Sequence, residues 1–178
     1  MGTAKAAIRF GQDTLAQRTA RLLAEVADPA LEVGPGYTEL GRVVEQPPGL
    51  GPLAAMAAGG AELRRRGHPG PCLVVATDLP RLNASLLAAL AEWPGEACVV
   101  PVAGGRRQIL CARYSAAALQ LAEELVAGGC RAVGDLLVQV SVVELSPAEW
   151  QPAAGHPDAL ADADTPADLA RLGLGGRG

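Results

Sequence analysis

Between Asp13 and Ala27 the apolar residues Leu15, Leu22, Leu23 and Val26 recur at helical spacing, while Arg18, Arg21 and Glu25 occupy other faces. This predicts an amphipathic helix. LEVGPG and GRVVEQ read as short strands, and PLAAMAAGGAELRRR as a helix with Pro52 in its first turn, where a missing N–H costs nothing. The run PCLVVATDLP is continuous, apolar and β-branched, the pattern of a strand buried on both faces. NASLLAALAEW follows as a helix with Asn83 as N-cap. Beyond it come the strands ACVVPV and QILCARY, a helix near AAALQLAEELVAGG, a short helix near AVGDLLVQV, the strand SVVEL and a last helix at TPADLARL. The Pro/Gly/His-rich stretch from Glu149 to Asp158 reads as a surface loop.

Strands alternating with helices of this length predict α/β architecture: a three-layer, Rossmann-like, mostly parallel sheet. Such sheets bind ligands outside the carboxyl ends of their strands. The 178 residues suit one domain, expected over 1–172, with 173–178 as a flexible tail. Aromatic residues make up only 3% of the chain, which disfavours a single-stranded nucleic-acid platform built on stacking rings. A net charge of −4 argues against duplex nucleic acid or an anionic membrane as the main partner.

Cys72, Cys98, Cys111 and Cys130 lie far apart with no C-x-x-C pair, and His68 and His156 fall in Pro/Gly-rich stretches, a spacing unlike that of a zinc site. The first three cysteines sit in apolar runs and are expected to pack as small hydrophobes. Neither a signal-peptide pattern nor a membrane-length apolar run is present, so the expectation is a soluble, cytoplasmic protein.

Three places carry candidate chemistry. Asp78 stands at the end of the CLVVATD strand, where a carboxylate can hold a Mg²⁺ shared with nucleotide phosphates, or simply make a turn with Pro80. In DADTPADL the helix start is explained by Thr165 as N-cap, Pro166 at the first position and Asp168 at the third, which leaves Asp162 and Asp164 unaccounted for. On an extended segment those two share one face and repel unless a cation or donors intervene; a solvated loop is the alternative. In EQPPGLGPLAAM, Gly49 and Gly51 allow backbone angles and close approaches that a side chain would block, suited to pressing main chain on a flat base or to a plain turn before a helix.

MGTAK, EQPPGLGPLAAM, ATDLP, RRQILCARY and DADTPADL stand in the order and approximate spacing of the molybdenum cofactor guanylyltransferase family, which the chain resembles over nearly its whole length. The resemblance implies a nucleotide-sugar-transferase-like fold and transfer of GMP from GTP to a molybdopterin-type cofactor, with release of pyrophosphate and a requirement for Mg²⁺. It further implies that Lys5 contacts the GTP phosphates, that Asp78 is the metal-binding and catalytic carboxylate, and that Glu45, Gly49, Gly51 and Pro52 lie on the nucleotide side. Asp162 and Asp164 fall where the family carries an Asn or Asp pair before its last helix, and Arg106, Arg107 and Gln108 are candidates for steering the anionic pterin, or a solvated hairpin. Transient contact with other proteins of cofactor biosynthesis, or with acceptor proteins, is a further implication. Ala4, Glu45 and Ala55 depart from the family pattern, and a transferase that uses CTP or acts on another small phosphate, or a non-catalytic nucleotide-binding remnant, are the alternatives.

The family pattern begins with a strand and a glycine-rich loop ahead of the lysine, and Met1 aligns late in that loop. In a doubly wound sheet that strand is central, between the strand after the first helix and CLVVATD. Its absence is expected to open a gap of roughly 9 to 10 Å, two ladder spacings, and to leave the chain as written inactive or nearly so.

Overall fold

The computed structural model describes residues 8–174. The described residues open with a small antiparallel hairpin, β1 (Arg9–Phe10) and β2 (Asp13–Thr14), turning at Gly11 with φ of +65°. Thr14 then caps α1 (Leu15–Val26): its hydroxyl accepts from the Gln17 N–H, and the Gln17 side chain accepts in return from the Thr14 N–H. β3 (Leu31–Val33) and β4 (Gly41–Val43) pair in parallel, and α2 (Pro52–Arg65) follows with Pro52 in its first turn.

Next come β5 (Cys72–Val75), α3 (Ala84–Ala91), β6 (Cys98–Ala103), β7 (Arg106–Arg107) and β8 (Cys111–Tyr114). The chain continues through α4 (Ala116–Ala127), α5 (Val133–Leu137), β9 (Val142–Leu145), α6 (Pro147–Ala154) and α7 (Pro166–Arg171). Asn83 caps α3, its side-chain oxygen accepting from the Leu86 N–H at 2.9 Å.

In the main sheet β8 lies antiparallel between β5 and β6, and β9 pairs in parallel with β6. Hence β5, β6 and β9 run in one direction, with β8 reversed between them and β7 returning as a hairpin on β6. Side chains alternate across the strands and sort the core into two layers. Cys98, Val100, Ala112 and Tyr114 face α2, α4 and α5 through Met56, Leu119 and Leu136. Val99 and Cys111 face α3 and α6 through Leu86, Leu90 and Trp150, and Leu23 of α1 packs against this second layer. The expected three-layer α/β fold is therefore present. A third cluster joins Ile8 and Leu15 to Ala163 and Leu169, tying the start of the described chain to α7.

Two sequence readings are corrected. The stretch from Glu149 to Asp158 is not all loop, because Ser146 and Glu149 form a capping box for α6, and Trp150 on that helix is buried with its indole N–H donating to the Val102 carbonyl at 3.0 Å. The capping pattern Ser146-Pro147-Ala148-Glu149 was the available signal, masked by the prolines around it. Second, β5 is not buried on both faces: Cys72, Leu73, Val74 and Val75 are all half-buried.

The reason for the second correction lies beside the strand. Among the described residues β3 and β5 belong to different sheets, and between them opens a cavity of about 900 Å³ lined by both strands and by α1 and α2. Tight helix packing holds the walls, since a Cβ on Gly59 would come within 3.0 Å of Val33 and one on Gly60 within 3.0 Å of Leu119. Of the expected tail, Gly173 and Leu174 hydrogen-bond back to Ala170 and Leu169, and 175–178 lie outside the described residues.

Candidate active site

Asp78 sits three residues beyond β5, half-buried, at the carboxyl edge of the strands. Its carbonyl accepts from the Ala163 N–H at 2.8 Å, which brings the segment holding Asp162 and Asp164 against the Asp78 loop across 85 residues of sequence, 163 minus 78. Both aspartates are exposed on either side of buried Ala163. That placement is what alternation along an extended segment produces. Downstream, Thr165 caps α7 in a capping box with Asp168, whose carboxylate accepts from the Thr165 hydroxyl and from the N–H groups of Asp164 and Thr165. These bonds, the Thr165 hydroxyl foremost, hold the Asp168 carboxyl below its usual range. The helix start thus accounts for Thr165 and Asp168, as read from sequence, and the Asp162 and Asp164 side chains are exposed.

Two arginines that the sequence pattern did not single out position this loop. Arg18 of α1 donates to the Pro80 carbonyl at 3.0 Å and to the Leu82 carbonyl at 2.7 Å. Burial, followed by the neighbouring Arg21, depresses its affinity for a proton. Arg81 reaches the Leu172 carbonyl and the His156 ring, fastening the same loop to the end of α7. An arginine on an amphipathic helix reads as a solvated face, so only the folded arrangement shows what it grips.

The loop after β4 closes on itself, with the Gly49 N–H donating to the Glu45 carboxylate at 2.9 Å. Gly49 and Gly51 have φ of +82° and +96°, values that L side chains rarely adopt, which confirms the expected need for glycine there. Gly51 is the N-cap of α2 and lacks a side-chain cap, so the first turn of that helix offers its N–H groups to the loop side. Pro52 and Asp78 line the same cavity. Glu45 is committed within its own loop rather than reaching toward Asp78.

Arg106, Arg107 and Gln108 lie beyond the carboxyl end of β6 on an exposed hairpin. Arg107 pairs with Glu144, and the Gln108 side chain donates to the carbonyls of Ala103 and Arg106 at 3.4 and 3.3 Å. Two of these three side chains therefore brace the hairpin. Lys5 lies outside the described residues. Among the described residues no group of three or more His, Cys, Asp or Glu side chains is assembled as a metal cage. Mg²⁺ does not require one, because it takes one or two carboxylates and completes its shell with water and phosphate oxygens.

A three-layer α/β sheet, with the Asp78 loop and the segment from Asp162 to Asp164 meeting at its carboxyl edge, defines a Rossmann-like protein. The profile of the MobA-like NTP transferase domain matches residues 1–165. Over 132 residues the chain is 33% identical to the probable molybdenum cofactor guanylyltransferase of Chloroflexus aggregans, covering 71% of this chain and 61% of that protein's length. Among solved structures, the molybdopterin-guanine dinucleotide biosynthesis protein A of Archaeoglobus fulgidus superposes with a TM-score of 0.74 at 21% identity, covering 96% of this chain and 89% of that one. A putative protein of Aquifex aeolicus shares the fold with a TM-score of 0.66 at 17% identity, covering 89% and 88% of the two chains. This chain belongs to the MobA-like NTP transferase family. Among the described residues no helix is long and apolar enough to cross a membrane.

Proposed function

We propose that the protein transfers GMP from GTP to a molybdopterin-type cofactor, releasing pyrophosphate. The observation that supports this reading is the Asp78 to Ala163 backbone bond, which brings the segment from Asp162 to Asp164 against the Asp78 loop. The likeness to a named guanylyltransferase supports the choice of reaction. Asp78 would hold Mg²⁺, which when bound neutralises charge on the nucleotide phosphates.

The chain's own residues bind and orient. The loop from Glu45 to Pro52 carries the nucleoside, with Gly49 and Gly51 letting main chain approach the base. Lys5 meets the phosphates, Asp162 and Asp164 accept from hydroxyl or amine groups of the bound substrates, and Arg106 attracts the anionic pterin. No protein nucleophile is needed, because a phosphate oxygen of the second substrate attacks the α-phosphate and pyrophosphate leaves. Catalysis then rests on positioning and charge stabilisation.

The test is a transfer assay with GTP labelled at the α-phosphate, Mg²⁺ and molybdopterin. Asp78→Asn is expected to lower turnover by on the order of 100-fold, comparable to losing a key electrostatic group. Near-normal turnover in a folded Asp78→Asn protein removes Asp78 from the reaction. Thermal protection is expected to be greater with GTP and Mg²⁺ than with CTP and Mg²⁺, since a ligand stabilises by binding the native state. Equal protection overturns the guanine assignment.

A further inference from the structure

His156 follows Gly155, the left-handed residue that ends α6, and its ring meets donors on both sides. The Arg81 guanidinium approaches Nε2 at 2.7 Å, and the Asp158 N–H donates to Nδ1 at 3.0 Å. Arginine only donates, so Nε2 must carry a lone pair. A neutral imidazole has one lone pair to offer and the cation has none, so protonating this ring removes the acceptor on which Arg81 relies. Charge acts in the same sense. Arg81 is met by the His156 ring and the Leu172 carbonyl, neither of them an anion, and its Nε is buried without a hydrogen-bond partner among the described residues. A cationic ring would face that guanidinium directly and be repelled. On the other side the exposed Asp158 carboxylate stands 4.0 Å from Nδ1, and it attracts the ring only when the ring is charged. Arg81 and Asp158 thus favour opposite protonation states of one imidazole, a group whose charge ordinarily changes between about pH 5 and 8.

We propose that His156 is a proton-sensitive positioning residue: neutral, it holds the Asp78 loop through Arg81, and protonated, it releases Arg81 and turns to Asp158. The loop meets the segment after α6 through this contact, through the Asn83 amide donating to the Ala154 carbonyl at 2.6 Å, and through the Ala163 N–H donating to the Asp78 carbonyl at 2.8 Å. Beneath them Leu79 and Leu82 pack in one cluster with Ala159 and Leu160. Losing the Arg81 contact therefore loosens this seam without unfolding it. The polar tie left nearest the site is the Asp78 to Ala163 bond, which sets how Asp78 stands relative to Asp162 and Asp164. The charge on His156 thereby reaches the acidic residues without touching them. It acts on the carboxylates of the nucleotidyl-transfer reading, and only the consequence for nucleotide binding rests on that reading.

Hydrogen exchange of the Ala163 amide, compared between the native chain and His156→Gln, tests it. Glutamine offers Arg81 a carbonyl oxygen at every pH, and the ratio of the two rates cancels the intrinsic pH dependence of exchange. The expected ratio, native over variant, is about 1 at pH 8 and on the order of 10 at pH 5. His68→Gln, which removes a histidine ahead of the opposite end of β5, is expected to exchange as the native chain does. Should His156→Gln fail to fold, the native chain decides alone, because the His156 ring signal and the Ala163 amide signal are expected to change over the same pH range in NMR spectra. A ratio that is the same at pH 5 and pH 8, or an Ala163 signal that ignores the His156 titration, overturns the proposal. Thermal protection by GTP with Mg²⁺ separates this coupling from the functional reading. Protection that weakens from pH 8 to pH 5 in the native chain but not in His156→Gln supports both. Protection absent at every pH, with Ala163 still following His156, supports the coupling and overturns the nucleotide assignment.

Discussion

β5 and β8 are hydrogen-bonded neighbours of the same length, yet all four residues of β8 are buried and all four of β5 are only half-buried. Their compositions do not explain this, since Cys72-Leu73-Val74-Val75 is the more apolar and β8 carries Arg113. Arg113 is tolerated inside because its guanidinium donates to the carbonyls of Trp93 and Gly95, closing the turn between α3 and β6. The difference lies in neighbours. Among the described residues β8 has a strand on each side, whereas β5 has β8 on one side and the cavity on the other. Hydrophobicity makes a strand suitable for the interior, but only a partner on each edge puts it there.

The sharpest way to break this comparison is to remove equal volume from each half. Leu87→Ala, at a fully buried position in the closed half, is expected to cost about 2 to 5 kcal/mol, the range for emptying a packed site. Leu73→Ala, on β5, is expected to cost less than half as much in the 178-residue chain, because its side chain already borders open space. Urea denaturation of the two variants measures both. Equal losses would mean that the cavity wall is as tightly packed as the core.

The cysteines sharpen the same contrast. Burial pushes the Cys111 thiol on β8 up to about 12, and raises that of Cys72 on β5 as well. Alkylation by iodoacetamide at pH 8 is expected to reach Cys72 faster than Cys111, by on the order of 100-fold, since the thiolate is the nucleophile and access is required. The sign of the accompanying pH effect follows from proton counting. Above the ordinary value of 9.0 the unfolded Cys111 releases its proton while the folded one retains it, so the stabilising contribution is complete below 9.0 and is lost as pH rises toward 12. Cys111→Val should flatten that decline, as read by thermal unfolding between pH 8 and 11.

The smallest expected effect concerns Glu32 on β3. Burial alone would raise its pKa, but bonds from the Tyr37 N–H, the Thr38 hydroxyl and the Gly36 N–H outweigh this and hold the carboxyl below its ordinary value of 4.5. Its stabilising contribution is present above 4.5 and is lost as pH falls through the depressed value. Because the group is only partly buried, Glu32→Gln is expected to cost about 1 kcal/mol or less at pH 7 and to leave less acid sensitivity, measured by thermal unfolding between pH 3 and 7. A larger loss would show that the Gly36 to Thr38 loop carries more of the stability of β3 than its exposure suggests.

Local rules reached much of the site. Asn83 and Thr165 were legible as caps because a polar side chain before an apolar run has one efficient use for its oxygen, and Gly49 and Gly51 were legible because a Pro/Gly cluster before a helix needs unusual backbone angles. The helix α6 was hidden because Pro147 and Pro152 outweigh its capping box on any reading of propensity. Arg18 was hidden for a different reason: it grips carbonyls 62 and 64 residues away, and no local pattern encodes a partner at that distance.

By itself the sequence determined the order of most strands and helices, several of their caps and the acidic positions available for chemistry, because helical and strand periodicity and capping depend on residues a few positions apart. Only the tertiary structure decided that Asp78 and the Asp162 to Asp164 segment meet, since one backbone bond between distant segments accomplishes it. The same holds for the apolar β5, which stands half-buried beside a cavity of about 900 Å³. Burial is a property of what packs on both edges and both faces of an element, and none of those neighbours is written in the element's own residues.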